Sequence, residues 1–223
     1  MKRKAALIAL TAAVLATARG GAGAFPLGFS VGGGAGVGYY SMNALNEHAT
    51  IVSQENNISI RKLDRGVNFR IQGRIWYRSI AALAGGYEHL WGETSAVEPS
   101  SSIYFKTPAD LFTLGAVGTV FEIKDVMNIC IGANICWADA LYETNEGYLD
   151  EFRGDGSGYE AYVEAHTNFI NPIEMGFQLG YRSLKIGELN DKFGFPGSFD
   201  PSSPIRLDYS GVFIYLMASV RIN

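Results

Sequence analysis

The sequence predicts an all-β protein: an eight-stranded antiparallel up-and-down transmembrane β-barrel. Three observations predict it. Long stretches alternate apolar and polar residues with period two, the mark of strands with two unlike faces. The connections between them alternate between long and very short. No apolar run after the N-terminal segment is long enough for a membrane helix. Composition agrees: of 223 residues, 48% are hydrophobic and only 18% charged, with 27 glycines. That apolar content excludes disorder. A formal net charge of −4 without a basic block argues against nucleic-acid binding.

Residues 1–24 read as a secretory signal peptide. Lys2, Arg3 and Lys4 give a positive start, Ala5–Ala18 an apolar core, and Ala22-Gly23-Ala24 a small-residue end. Removing them takes away four basic side chains and no acidic one, so the mature chain, 25–223, is more acidic than the whole. An exported chain without a membrane helix leaves a soluble protein or a closed barrel.

Strands are expected near 28–41, 61–78, 80–93, 110–122, 127–142, 157–169, 173–187 and 207–222. The first is weakly patterned, because Gly32-Gly33-Gly34 supplies no side chains. In 66–78, Val67, Phe69, Ile71, Ile75 and Tyr77 oppose Asn68, Arg70, Gln72, Arg74 and Arg78. In 127–137, Met127, Ile129, Ile131, Ile135 and Trp137 oppose Asn128, Cys130, Asn134 and Cys136. In 159–169, Tyr159, Ala161, Val163, Ala165 and Phe169 oppose Glu160, Tyr162, Glu164, His166 and Asn168. In 173–183, Ile173, Met175, Phe177, Leu179 and Tyr181 oppose Glu174, Gln178 and Arg182. Long connections fall near 42–60, 94–109, 143–156 and 188–206. Short turns fall at Ser79, Lys124-Asp125 and Asn171-Pro172.

Turn centres fix strand register, and facing residues must point the same way. Centring the turns on those positions pairs Arg70 with Glu88, Ile71 with Tyr87, Ile135 with Leu114, Trp137 with Phe112, Glu160 with Arg182 and Glu164 with Gln178. It also pairs Ile129 with Val120 and Phe169 with Ile173.

Period alone leaves open which face is inside. A soluble barrel hides its apolar face, whereas a membrane barrel turns it toward lipid. Two features favour lipid. Tyr39, Trp91, Trp137, Tyr159 and Tyr181 cluster on the apolar face near the long-loop ends, as an interfacial girdle. The long loops, polar and acidic, gather at one end. The soluble alternative is a lipocalin-like barrel.

With signal peptide, Gly-rich first strand (Phe29 to Tyr40), Gly85-Gly86-Tyr87-Glu88, Gly180-Tyr181-Arg182 and closing strand Leu207 to Ile222, the chain resembles the small eight-stranded outer-membrane barrels of Gram-negative bacteria. These are the OmpX, OmpA-barrel and OmpW types. The resemblance implies an outer-membrane location and, as partners, outer-membrane lipids and the barrel-insertion machinery. That machinery reads a terminal aromatic residue, where this chain has Arg221-Ile222-Asn223. The mature length is closer to OmpW, which implies passage of small or apolar solutes as an alternative to a structural or surface role.

On the polar face, Arg70, Arg74, Arg182, Glu88, Glu160, Glu164 and Glu174 are expected to line the lumen. Eight strands leave room only for side chains, so these charges must pair or stay wet. A plug is expected, with a narrow polar pore as alternative. Arg153-Gly154-Asp155 is expected at the tip of the third long loop; an exposed RGD tripeptide looks like a contact for a host or extracellular ligand, but a polar Gly-rich loop tip that happens to contain it is the favoured reading. A monomer is expected, with no cofactor and no metal.

No enzyme is expected. Gly28-Phe29-Ser30-Val31-Gly32 fits G-x-S-x-G but opens a strand with no helix after it. His48, His89 and His166 have no metal-binding spacing. His166-Thr167-Asn168 lacks the His/Ser pair of barrel lipid A deacylases. Cys130 and Cys136, six residues apart on one strand, are too distant to bridge.

Overall fold

A computed structural model describes residues 27–223 except 79, 97–102, 124–125, 147–149, 171, 201–202 and 223. Residues 1–24, Ser79, Lys124-Asp125 and Asn171 therefore lie outside the described residues. The barrel strands are β1 (Leu27–Tyr39), β2 (Arg65–Tyr77), β3 (Ala81–Trp91), β6 (Ala109–Ile123), β7 (Met127–Thr144), β8 (Asp150–Ile170), β9 (Ile173–Ile186) and β13 (Gly211–Ile222). Each pairs antiparallel with its chain neighbour, and β13 pairs back onto β1, from Phe29↔Ile222 to Gly38↔Phe213. The sheet therefore has no free edge between first and last strands. Eight segments expected from alternation are the eight strands of a closed barrel.

Most predicted registers hold: Arg70↔Glu88, Ile71↔Tyr87, Leu114↔Ile135, Phe112↔Trp137, Glu160↔Arg182 and Glu164↔Gln178. Two pairs next to the short turns differ. Ile129 faces Phe121, not Val120, because the register shifts between Thr119 and Phe121. Ile173 faces Ile170, not Phe169, after a shift between Asn168 and Ile170. Both are bulge-type irregularities, each with one extra residue in a strand beside its turn.

The orientation is that of a membrane barrel. Ile71 (61% exposed), Leu83 (65%) and Leu216 (75%) point outward, whereas Arg70 (2%), Glu88 (0%) and Arg182 (1%) are buried inside. Side chains alternate outward and inward along the pleat, so one register error would have inverted the set. Among the described residues, no helix is long and apolar enough to cross a membrane.

The long connections are more ordered than their composition suggests. Residues 42–60 contain a helix, α1 (Asn43–Glu55), which buries Leu45, Ala49 and Val52 at helical spacing. Asn46 ties it to the chain before β2, accepting from the Leu63 amide at 2.7 Å and donating to the Leu63 carbonyl at 3.1 Å. Short strands β4 (Glu93–Ser95) and β5 (Tyr104–Lys106) pair above β3, and β5 also joins β7. Between β9 and β13 lie β10 (Ser198–Asp200), β11 (Ser203–Pro204) and β12 (Leu207–Asp208), the last pairing with β9.

The segment 143–156, expected as a loop, is largely strand: β7 extends to Thr144 and β8 starts at Asp150, and the two pair through Thr144↔Asp150. Arg153-Gly154-Asp155 sits in this ladder, facing Leu141, Ala140 and Asp139, and not at a loop tip. Its glycine faces inward, where a Cβ would meet the Glu188 carbonyl, Ile186 and Leu189, each at 3.2 Å. The Gly-x-Gly-x-Gly run that looks like a loop is therefore the small-residue face of a strand.

Candidate functional site: the barrel lumen

At mid-height the lumen holds an ionic cluster built by inward side chains from six strands. Arg70 on β2 contacts Glu88 on β3 at 2.5 Å and Glu160 on β8 at 2.7 Å. Arg182 on β9 contacts the same two carboxylates at 2.6 and 3.1 Å. Arg70 Nη1 donates to Gln178 at 2.9 Å, and Asn134 on β7 donates to Glu160 at 2.7 Å. The Tyr215 hydroxyl on β13 donates to Glu88. Two guanidiniums thus balance two carboxylates, and the contacts tie β2, β3, β7, β8, β9 and β13 together. The guanidiniums also lie against ring faces: Arg70 is 4.8 Å from the Tyr215 centroid, and Arg182 is 5.1 Å from that of Phe213. Gly180 leaves room for the Phe213 ring, since a Cβ there would lie 2.6 Å from the Ala161 carbonyl and closer still to the ring.

Below, toward the short turns, Arg74 forks onto both oxygens of Glu164. Glu174 lies 3.5 Å from Arg221, a partner not expected from the sequence because the two lie far apart in the chain and Arg221 follows the apolar run 212–220. All seven sequence-selected lumen residues point inward. Arg70, Glu88, Glu160 and Arg182 share one cluster, Arg74 and Glu164 form a second, and Glu174 stands with Arg221. Ser30 accepts the indole N–H of buried Trp76 at 3.0 Å, a structural use of the serine in the G-x-S-x-G match.

Above the cluster the lumen changes character. Leu45 and Val52 of α1 pack with Leu63, Leu90, Phe105, Leu111, Tyr142, Leu189 and Tyr209 in one buried apolar group. Two of its phenols are hydrogen-bonded: Tyr209 donates to the Thr107 carbonyl at 2.7 Å, and Tyr40 donates to Asn68. Burial pushes the phenols of Tyr209 and Tyr40 well above the usual tyrosine range, so both remain donors at any physiological pH. His48 closes the group, stacked on Phe199 with centroids 4.4 Å apart and 2.8 Å from Glu146.

The outer face changes at the same height. Below it, Ile131, Ala133, Ile135 and Trp137 point outward on β7, and Tyr159, Ala161 and Val163 on β8. Above it, Asp139, Arg153 and Asp155 do. His89, Asp110, Asp139 and Asp155 follow each other in register across β3, β6, β7 and β8, with His89 Nδ1 2.9 Å from Asp110. The expected girdle residues Tyr39, Trp91, Trp137, Tyr159 and Tyr181 are all exposed on the outer face near this border.

No protein-family model and no curated protein sequence matches the chain. Solved structures do. The attachment invasion locus protein Ail of Yersinia pestis, in complex with the heparin analogue sucrose octasulfate, is 12% identical. That alignment covers 89% of this chain and all (100%) of that one, with a TM-score of 0.50. The outer membrane protein OprG of Pseudomonas aeruginosa is 7% identical over 88% of this chain and 96% of that one, with a TM-score of 0.53. At such identities the likeness is one of fold. Fold, apolar exterior and ionic interior together define the class: an eight-stranded transmembrane barrel of the outer-membrane type.

Proposed function

We propose that the protein is a monomeric outer-membrane barrel whose work is mechanical and superficial. It holds the membrane at its wall and presents a structured surface at its long-loop end, where an extracellular or host ligand is met. One observation supports this reading: among the described residues, buried side chains occupy the lumen at three heights. Trp76 and Tyr162 fill it low down, the Arg70–Glu88–Glu160–Arg182 cluster fills the middle, and α1 with its apolar group fills the top. A side-chain-filled barrel of eight strands has no continuous water path. This weighs against the alternative of a narrow OmpW-like channel.

The outer surface supports the same reading. Phe193 (74% exposed) and Phe195 (68%) stand out from the connection between β9 and β13, held by Asp191, which accepts from both their amides at 2.8 and 2.9 Å. Aromatic side chains fixed on an ordered turn make good contact anchors. Arg153 and Asp155 are also outward, but on a strand, which holds their spacing rigid. The reading includes no catalytic step, since Ser30 serves Trp76.

A strain lacking the protein, complemented with the wild type or with Phe193→Ser/Phe195→Ser, tests this. Both forms should restore detergent resistance, and only the wild type should restore attachment to host-type surfaces. Protein-dependent uptake of small solutes, with attachment unaffected, would contradict it.

A further inference from the structure

Near the short-turn end of the lumen, three ligand-type side chains converge from two strands. Cys130 on β7 lies directly opposite Glu164 on β8, and His166 is the next inward residue of β8. The Cys130 Sγ, a Glu164 oxygen and a His166 ring nitrogen all lie within 4.8 Å of one another, and all three residues are buried. Gly176 on β9 faces His166 and leaves space for the imidazole, since a Cβ there would sit 2.8 Å from the His166 Cβ.

A second observation points to a ligand. The His166 Nε2 is buried and has no hydrogen-bond partner. Its nearest carboxylate, Glu174, is 4.0 Å away, while Nδ1 stands 3.6 Å from Glu164. A cavity of ≈20 Å³ adjoins the ring, bounded by Arg74, Glu164, Glu174 and Ser219 among others; Cys130 does not line it and lies on the Thr119 side, its Sγ 3.5 Å from the Thr119 hydroxyl. Buried polar nitrogens are rarely left unsatisfied.

We propose that Cys130 and His166 bind one soft monovalent metal ion of the copper(I) or silver(I) class, with Glu164 flanking it. Thiolate and imidazole are the donors such ions select. Metal–sulfur and metal–nitrogen bonds of about 2.3 and 2.0 Å, the zinc values, span about 4.3 Å when collinear. The donor atoms lie no more than 4.8 Å apart, a limit that admits this span.

Charge decides for a monovalent ion. Glu164 is neutralised by Arg74, and Glu174 faces Arg221. Exchanging the Cys130 proton for M⁺ leaves the compartment neutral. The S–H bond breaks, its electron pair forms the S–M bond, the imidazole donates its lone pair, and the proton leaves to water. No electron is transferred. A divalent ion would add an uncompensated positive charge beside two guanidiniums, which is costly in a desolvated space.

Silver(I) as its nitrate is the probe, since it needs no reductant. It is titrated into the full folded chain in chloride-free detergent, and binding is followed by calorimetry and by thiolate–silver absorbance. One tight equivalent is expected. Cys130→Ser should weaken it by about 100-fold and His166→Ala by at least about 10-fold. Cys136→Ser should leave it unchanged, and equimolar zinc(II) should not displace it. Heat-modifiable migration reports whether each variant folds; if Cys130→Ser does not, His166→Ala and Cys136→Ser decide. The inference is overturned by no tight equivalent in the wild type, by binding insensitive to His166→Ala or Cys130→Ser, by loss in Cys136→Ser, or by displacement with zinc.

Discussion

The two halves of this barrel obey opposite rules within the same strands. In the lower part of β8, Tyr159, Ala161 and Val163 face out while Glu160, Tyr162 and Glu164 face in. In its upper part, Glu151, Arg153 and Asp155 face out while Phe152 and Gly154 face in. β7 does the same, from Ile135 and Trp137 outside to Asp139, and from Asn134 inside to Tyr142. The change falls at the aromatic border. A wall against lipid must be apolar outside, so its interior can carry charges that satisfy one another. A wall against water is polar outside, so its interior can be an ordinary apolar core. The pleat never changes; the solvent does.

That contrast can be broken most strongly in the ionic half. Glu88→Ala would leave Arg70, Arg182 and the Tyr215 hydroxyl facing an empty place. Removing one partner from a buried charge cluster costs about 3–5 kcal/mol, so the variant should unfold at clearly lower urea in detergent. Ile131→Lys, on the lipid face, is expected to cost about 2–4 kcal/mol, the penalty for a lysine near the bilayer midplane. In the apolar half, Leu63→Ala should cost about 2 kcal/mol, the low end for a buried leucine, because the mouth can relax around it. Its signature should be local: faster proteolysis around α1, with unheated gel migration unchanged. Smallest of all, Asp155→Lys should stay within about 0.5 kcal/mol, although it too places a lysine outward on a barrel strand. Equal costs for Ile131→Lys and Asp155→Lys in the same urea titration would erase the distinction between the halves.

The lower half was legible in the sequence because its two faces differ in kind. Phe69 beside Arg70, and Ile71 beside Gln72, announce the period, the aromatics at the long-loop ends point to the side, and charge pairing such as Glu160 with Arg182 supports the register. The upper half was not. Gly154 and Gly156 flank Asp155, which reads as a loop because small inward residues carry no apolar signal. Their reason appears only once Ile186 is seen beside both, with Leu189 beside Gly154. Helix α1 was missed for a related cause: Leu45, Ala49 and Val52 are a thin stripe among Asn, Glu, Thr and Gln. The Cys130–Glu164–His166 group has no sequence spacing to recognise, because its members meet across two strands. Glu174 was placed in the lumen, but its neighbour Arg221 lies 47 residues away on the closing strand, out of reach of any local pattern.

Single-channel recording in a planar bilayer tests the sealed lumen most directly. The wild-type barrel should insert and show no stable conductance steps, whereas Glu88→Ala, with its central contacts removed, should show intermittent ones. Steady open events in the wild type, altered in size by Arg70→Ala, would show a pore running where the ionic cluster is placed.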